Sequence, residues 1–172
     1  MKDENDYADD ELKGMLLGYT PLRAAHYPRD YELEFRVWMS PEDQKWCQDI
    51  PLCIGDTSHT EWPDFQCDKA GEGDLTALGY QPNSRVPAAR GLVCVVLGIR
   101  RELLEDCDIW PHDDNHLNLR RENIMVSPPG NDAVGARSLA DLLGTVEKYG
   151  HYVRENLDHL FILTRSRECQ TP

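Results

Sequence analysis

Apolar residues recur with helical spacing most regularly between Ser138 and Arg165. There Leu139, Val146, Val153 and Leu160 stand seven apart, and Leu142, Leu143, Tyr149, Leu157 and Leu163 widen the stripe. The spacing predicts one long amphipathic helix over 138–165, with Leu142, Val146, Val153 and Leu160 turned to the core. Ser138 is placed as its N-cap in a capping-box pattern with Asp141, and Arg165 and Arg167 suit the negative end of the helix dipole. A different period runs through Asp30–Met39, where Tyr31, Leu33, Phe35, Val37 and Met39 alternate with polar residues and predict a strand. Ser40-Pro41-Glu42-Asp43 then reads as a cap, a proline in the first turn and two first-turn carboxylates, so a helix is expected through Trp46 and Cys47 towards Ile50, ended by Pro51.

Elsewhere the pattern is shorter. Leu12, Met15 and Leu16 share one side of a helix over 11–17, stopped by Gly18 with Tyr19 and Pro21 behind it, a left-handed glycine closure. Leu78-Gly79-Tyr80-Gln81-Pro82 repeats that ending and is read as a second helix stop of the same chemistry rather than as a structural repeat. From Leu52 to Gly73 no period is sustained, so the stretch reads either as a long loop of the kind that often forms a binding surface or, equally, as a pair of short strands. Arg90–Cys107 is favoured as one helix, because Leu92, Val96, Ile99 and Leu103 line one face across Gly98; the alternative is a strand over 91–99 followed by a helix to 107. Asp108–Asn115 is expected to be an exposed acidic loop, His116–Val126 has helical and strand features in equal measure, and Ser127–Gly135 is a connector. These elements predict an α+β fold: one globular domain over 11–167, with the long C-terminal helix packed on a small sheet and shorter helices, a mobile acidic tail over 1–10 and a short tail over 168–172.

Charge changes the picture more than composition does. The 172 residues carry 31 acidic against 18 basic side chains, a net −13, and the excess is concentrated early: 8 basic against 18 acidic over residues 1–86, 10 against 13 over 87–172. Such a surface repels nucleic acid and anionic membrane and attracts a basic partner. No run approaches the roughly 18 apolar residues of a membrane span. Six cysteines without a secretory h-region before them are read as reduced thiols in the cytoplasm.

Candidate chemistry is sparse. No Cys-x-x-Cys pair exists, so neither structural zinc nor any other cofactor is expected. His112-Asp113-Asp114-Asn115-His116 offers imidazole and carboxylate ligands within one short loop, and a metal-dependent enzyme built on it is the alternative function. His116-Leu117-Asn118-Leu119-Arg120-Arg121-Glu122-Asn123-Ile124-Met125-Val126 resembles a protein-kinase catalytic loop over eleven residues, with Asn123 at the magnesium-binding asparagine. Asn118 stands where that family has its catalytic Asp, no Asp-Phe-Gly follows, and no glycine-rich phosphate loop or strand lysine precedes it, so the resemblance is local and assigns no phosphoryl transfer. No catalytic residue is assigned.

Two segments remain. Glu61-Trp62-Pro63-Asp64-Phe65 and the run Glu105–Asp114 each set a tryptophan, followed by proline, among carboxylates. Rigid aromatic anchors ringed by charge suit an electrostatically steered interface. The expected function is therefore a small acidic cytoplasmic protein that neutralises a basic protein partner, in the manner of an immunity protein or a mobile-element inhibitor, including a nucleic-acid-mimic version. Its contact residues are expected to be Glu61, Trp62, Asp64, Asp106, Asp108, Trp110, Asp113 and Asp114.

Overall fold

The structure, a computed structural model, describes residues 19–24, 35–43, 52–54, 63–66, 74–82, 84–130 and 133–164. The fold is α+β. Strands β1 (Tyr19–Ala24), β2 (Phe35–Met39), β3 (Leu52–Ile54), β4 (Pro63–Gln66), β5 (Arg85–Pro87) and β7 (Asn118–Leu119) form a mixed sheet in the order β5-β4-β3-β1-β2-β7. Strands β6 (Ile109–Pro111), β8 (Ile124–Val126) and β9 (Arg137–Ser138) form a second, antiparallel sheet in the order β6-β8-β9.

The strand expected over 30–39 is described from Phe35, where Val37 and Met39 are buried as their alternation requires and Trp38 between them is half-buried. Pro41, Glu42 and Asp43 are helical as expected, while the rest of that helix, the one over 11–17 and both tails lie outside the described residues. Helix α1 (Asp74–Ala77) stops as its sequence predicts. Gly79 takes φ 103°, its amide reaches Thr76 O at 3.2 Å, and the Tyr80 amide reaches Leu75 O at 3.1 Å, a Schellman closure.

Helix α2 (Ala88–Leu97) settles 91–97 as helix rather than strand, but corrects the expected continuity to Cys107. Gly98 adopts φ 67°, and the Gly98 and Ile99 amides both turn back to Cys94 O. The chain then makes a short 3-10 turn over Arg101–Leu104, which leaves Leu103 41% exposed instead of in the expected apolar row. Arg90 replaces the lost helical bonds: its Nη1 and Nη2 donate to Leu104 O and Cys107 O, each at 2.7 Å. Gly91 permits the close approach of α2 to β4, since a Cβ there would lie 2.9 Å from Phe65 Cδ2.

The single C-terminal helix is likewise corrected. It is three helices, α3 (Leu139–Tyr149), α4 (His151–Glu155) and α5 (Leu157–Leu163). Gly150, at φ 68° and ψ −143°, and Asn156, at φ −125° and ψ 76°, are not helical. The apolar row survives the breaks, with Leu139, Leu142, Val146, Val153 and Leu160 all buried in one core cluster that also takes in α2 and both sheets. Ser138 caps α3 as predicted, accepting the Asp141 amide at 3.1 Å. Arg154 on α4 donates from Nε to Leu97 O at 3.0 Å and lies over Gly98, tying the broken helix to the end of α2. No helix among the described residues is long and apolar enough to cross a membrane.

Candidate partner-binding surface

The segment expected to be an exposed loop over 108–115 is in part a strand. Ile109, Trp110 and Pro111 pair with Val126, Met125 and Ile124. Hydrogen bonds from the Ser127 amide to Asp108 O (2.9 Å) and from the His112 amide to Asn123 O (2.7 Å) extend the ladder on either side. Alternation then divides the sheet into two faces. Ile109 packs against the core and Pro111, Ile124 and Val126 are buried, while Trp110 and its cross-strand neighbour Met125 are half-buried on the other face, outside the core cluster. Since Asp108 and His112 spend their backbone groups on β8, the odd positions turn theirs to the open side of β6. Pro111, which has no N–H to offer, fits there and blunts the edge.

Carboxylates surround this strand. Asp106, Asp108, Asp113 and Asp114 are all exposed. Asp113 differs from the rest: Oδ1 accepts the Asn115 amide (2.9 Å) and Asn123 Nδ2 (2.9 Å), and Oδ2 accepts Asn118 Nδ2 (2.8 Å). Partial burial pushes its carboxyl up, but the bonds from Asn118, Asn115 and Asn123 outweigh that and hold it below the usual carboxylate range. Asp113 therefore fixes the turn, which passes through Asp114 at φ 60°, a left-handed value that aspartate tolerates better than most residues.

The first expected segment lies apart. Asp64 is half-buried on β4 between Cys53 and Pro87, on the six-stranded sheet, and Glu61 and Trp62 are outside the described residues. Burial raises the Asp64 carboxyl above its ordinary value against the opposing pull of Arg85, so this residue is not an exposed steering charge. Of the eight expected contact residues, the structure brings together Asp106, Asp108, Trp110, Asp113 and Asp114.

The kinase-like string is the join between the sheets. Asn118 and Leu119 belong to one sheet and Ile124–Val126 to the other. Between them the buried Asn123 accepts the Asp113 amide and donates to Asp113 and to Asn118 O, while Arg121 grips the buried Asp43 with Nε on Oδ2 (3.0 Å) and Nη2 on Oδ1 (2.6 Å). Asp43 in turn raises the affinity of the Arg121 guanidinium for its proton. Arg120 lies over the Trp38 ring at 5.3 Å. These side chains are committed to holding the fold.

The loop at His112–His116 does not assemble as a metal cage: both Asp113 oxygens are taken by amides, and among the described residues no three His, Cys, Asp or Glu side chains come together to hold an ion. Among the described residues the thiols of Cys94 and Cys107 are buried. Burial raises Cys94 and pushes Cys107 up to about 11, leaving both protonated at neutral pH. The sequence pattern did not mark Met125, which faces outward with Trp110 between the buried Ile124 and Val126; three consecutive apolar residues carry no local signal of that alternation. No protein-family model, curated protein or solved structure matches this chain.

Proposed function

We propose that the chain is an acidic cytoplasmic binding protein that neutralises a basic protein partner, of the immunity-protein or mobile-element-inhibitor kind, with a nucleic-acid-mimic mode as its extreme form. The observation that carries this reading is Trp110, a partly exposed indole off the core cluster on a strand flanked by exposed carboxylates. A ring in that position supplies binding energy on contact, and carboxylates at Asp106, Asp108 and Asp114 act over a Debye length of ~8 Å at physiological salt. The net charge of −13 adds long-range attraction for a cationic surface.

An affinity pull-down with mass spectrometry identifies the partner, and kinetics on that partner test the surface. Replacing Asp106, Asp108 and Asp114 together by Asn is expected to lower the association rate and flatten its salt dependence, because all three are exposed. Trp110→Ala is expected to leave association nearly unchanged and speed dissociation by roughly 30-fold, the equivalent of a 2 kcal/mol hot spot. A partner whose two rates respond to neither change ends the proposal and reduces the acidity to solubility.

A further inference from the structure

Resting on that reading, we infer that the outer face of the small sheet receives an arginine side chain of the partner, with the guanidinium on the Trp110 ring and its stem across Met125. Three aromatic rings of this chain already carry a cation of the chain: Arg120 over Trp38 at 5.3 Å, Arg101 over Tyr80 at 5.5 Å and Lys148 over Tyr149 at 5.3 Å. Among the described residues no cation of the chain lies over the Trp110 ring, although it is partly exposed and belongs to the aromatic type that binds cations best.

The surroundings select the occupant. Asp108 continues the β6–β8 ladder two residues before Trp110, the spacing that shares a strand face, which places its exposed carboxylate on the side of the sheet that carries the ring. A planar guanidinium can stack on an indole and still present its edge to a carboxylate, which the compact ammonium of lysine does less well. Met125, directly across the ladder from Trp110, supplies a soft apolar floor for the three methylenes of an arginine stem. Phosphate is repelled by the same carboxylates, which excludes nucleic acid as the occupant. Pro111 blocks β6 from extending its sheet with a partner strand, so docking is onto the face and not along the edge.

The test uses the full chain with labelled nona-arginine and nona-lysine peptides at about 0.15 M salt, near the physiological ionic strength at which exposed charges are screened within ~8 Å. The arginine peptide is expected to bind more tightly. Trp110→Leu, which keeps an apolar side chain but no ring, is expected to lower arginine-peptide affinity roughly 5-fold and erase the preference over lysine. Trp110→Phe keeps a ring and is expected to retain part of that preference. On the unaltered protein, the indole N–H resonance that Trp110→Phe removes is expected to move on titration with the arginine peptide, a readout independent of any folding defect in the variants. Equal affinities for the two peptides, an arginine preference that survives Trp110→Leu, or an unmoved indole resonance would each overturn the inference while leaving the acidic surface able to hold a basic partner. Failure of both peptides to bind even at low salt would overturn both proposals.

Discussion

The join between the two sheets and the outer face of the smaller sheet use the same materials, tryptophan, aspartate and arginine on short strands and turns, and put them to opposite ends. At the join each group is answered from within the chain. Asp43 is gripped by Arg121, Trp38 lies under Arg120, and Asp113 is saturated by three amide donors. On the outer face, Trp110 has Met125 beside it across the ladder, and Asp106, Asp108 and Asp114 are exposed. An acidic or aromatic residue is informative about binding only when its own structure has not already used it. By that criterion Asp113, which belongs to the same acidic run as Asp108 and Asp114, falls on the structural side.

The largest expected effect lies in the Asp43–Arg121 pair, whose side chains are only 5% and 23% exposed. Asp43→Ala leaves a partly buried guanidinium without its carboxylate and is expected to cost about 3 kcal/mol in urea unfolding, whereas pairing it with Arg121→Met is expected to recover part of that, because no lone charge remains. A single-variant loss under 1 kcal/mol would remove the join from its structural role.

Next comes the tryptophan contrast. Trp38→Ala is expected to cost roughly 3 kcal/mol and Trp110→Ala about 1 kcal/mol or less, since the Trp38 indole has its Nε1 buried and Arg120 laid over the ring, whereas among the described residues no cation covers Trp110. Equal losses would erase the distinction between the two regions. Circular-dichroism melts of the two variants side by side make the comparison.

Asp113→Ala is expected to cost about 1–2 kcal/mol at pH 7 through its lost hydrogen bonds. The folded carboxyl lies below the ordinary value of 3.8, so its contribution is fully present above that pH and is lost as pH falls below it through the folded value. The stability gap between wild type and variant is therefore expected to narrow in acid. Asp64 has the opposite sign, because its folded carboxyl is raised; protonating it in mild acid stabilises the fold, and Asp64→Asn is expected to remove that gain. Smallest of all, the combined Asp106, Asp108 and Asp114 to Asn replacement is expected to change stability by no more than about 0.5 kcal/mol, because all three are exposed. A larger loss would mean that these residues hold the fold as Asp113 does.

Features set by neighbouring residues were legible in the chain. The Ser138 cap, the Gly79 stop and the inward row of Leu139, Val146, Val153 and Leu160 each depend on residues a few positions apart, so period and residue type suffice to read them. The breaks at Gly98, Gly150 and Asn156 were not. The apolar spacing runs unbroken through all three, and helix propensity at one glycine is worth only about 1 kcal/mol, an amount that tertiary packing overrides. At Gly98 the carbonyls of α2 end against Arg154, 57 positions away.

The site divides along the same line. Residue type and local order were enough to mark Trp110 and its carboxylates as a candidate surface, because a tryptophan followed by proline in an acidic run is a local property. Which of them is open depended on pairing at a distance. Three-residue strands carry too few positions to show a period, and Trp110 acquires an outer face only when β6 meets β8, some 15 positions on. Asp113 was withdrawn from the surface by Asn118 and Asn123, and Arg121 was assigned to the core join by an aspartate 78 residues earlier. Side chains declare their chemistry in the sequence, but their partners come from elements brought together by burial of a shared apolar core, and those partners determine whether the chemistry is spent on folding or left for another molecule.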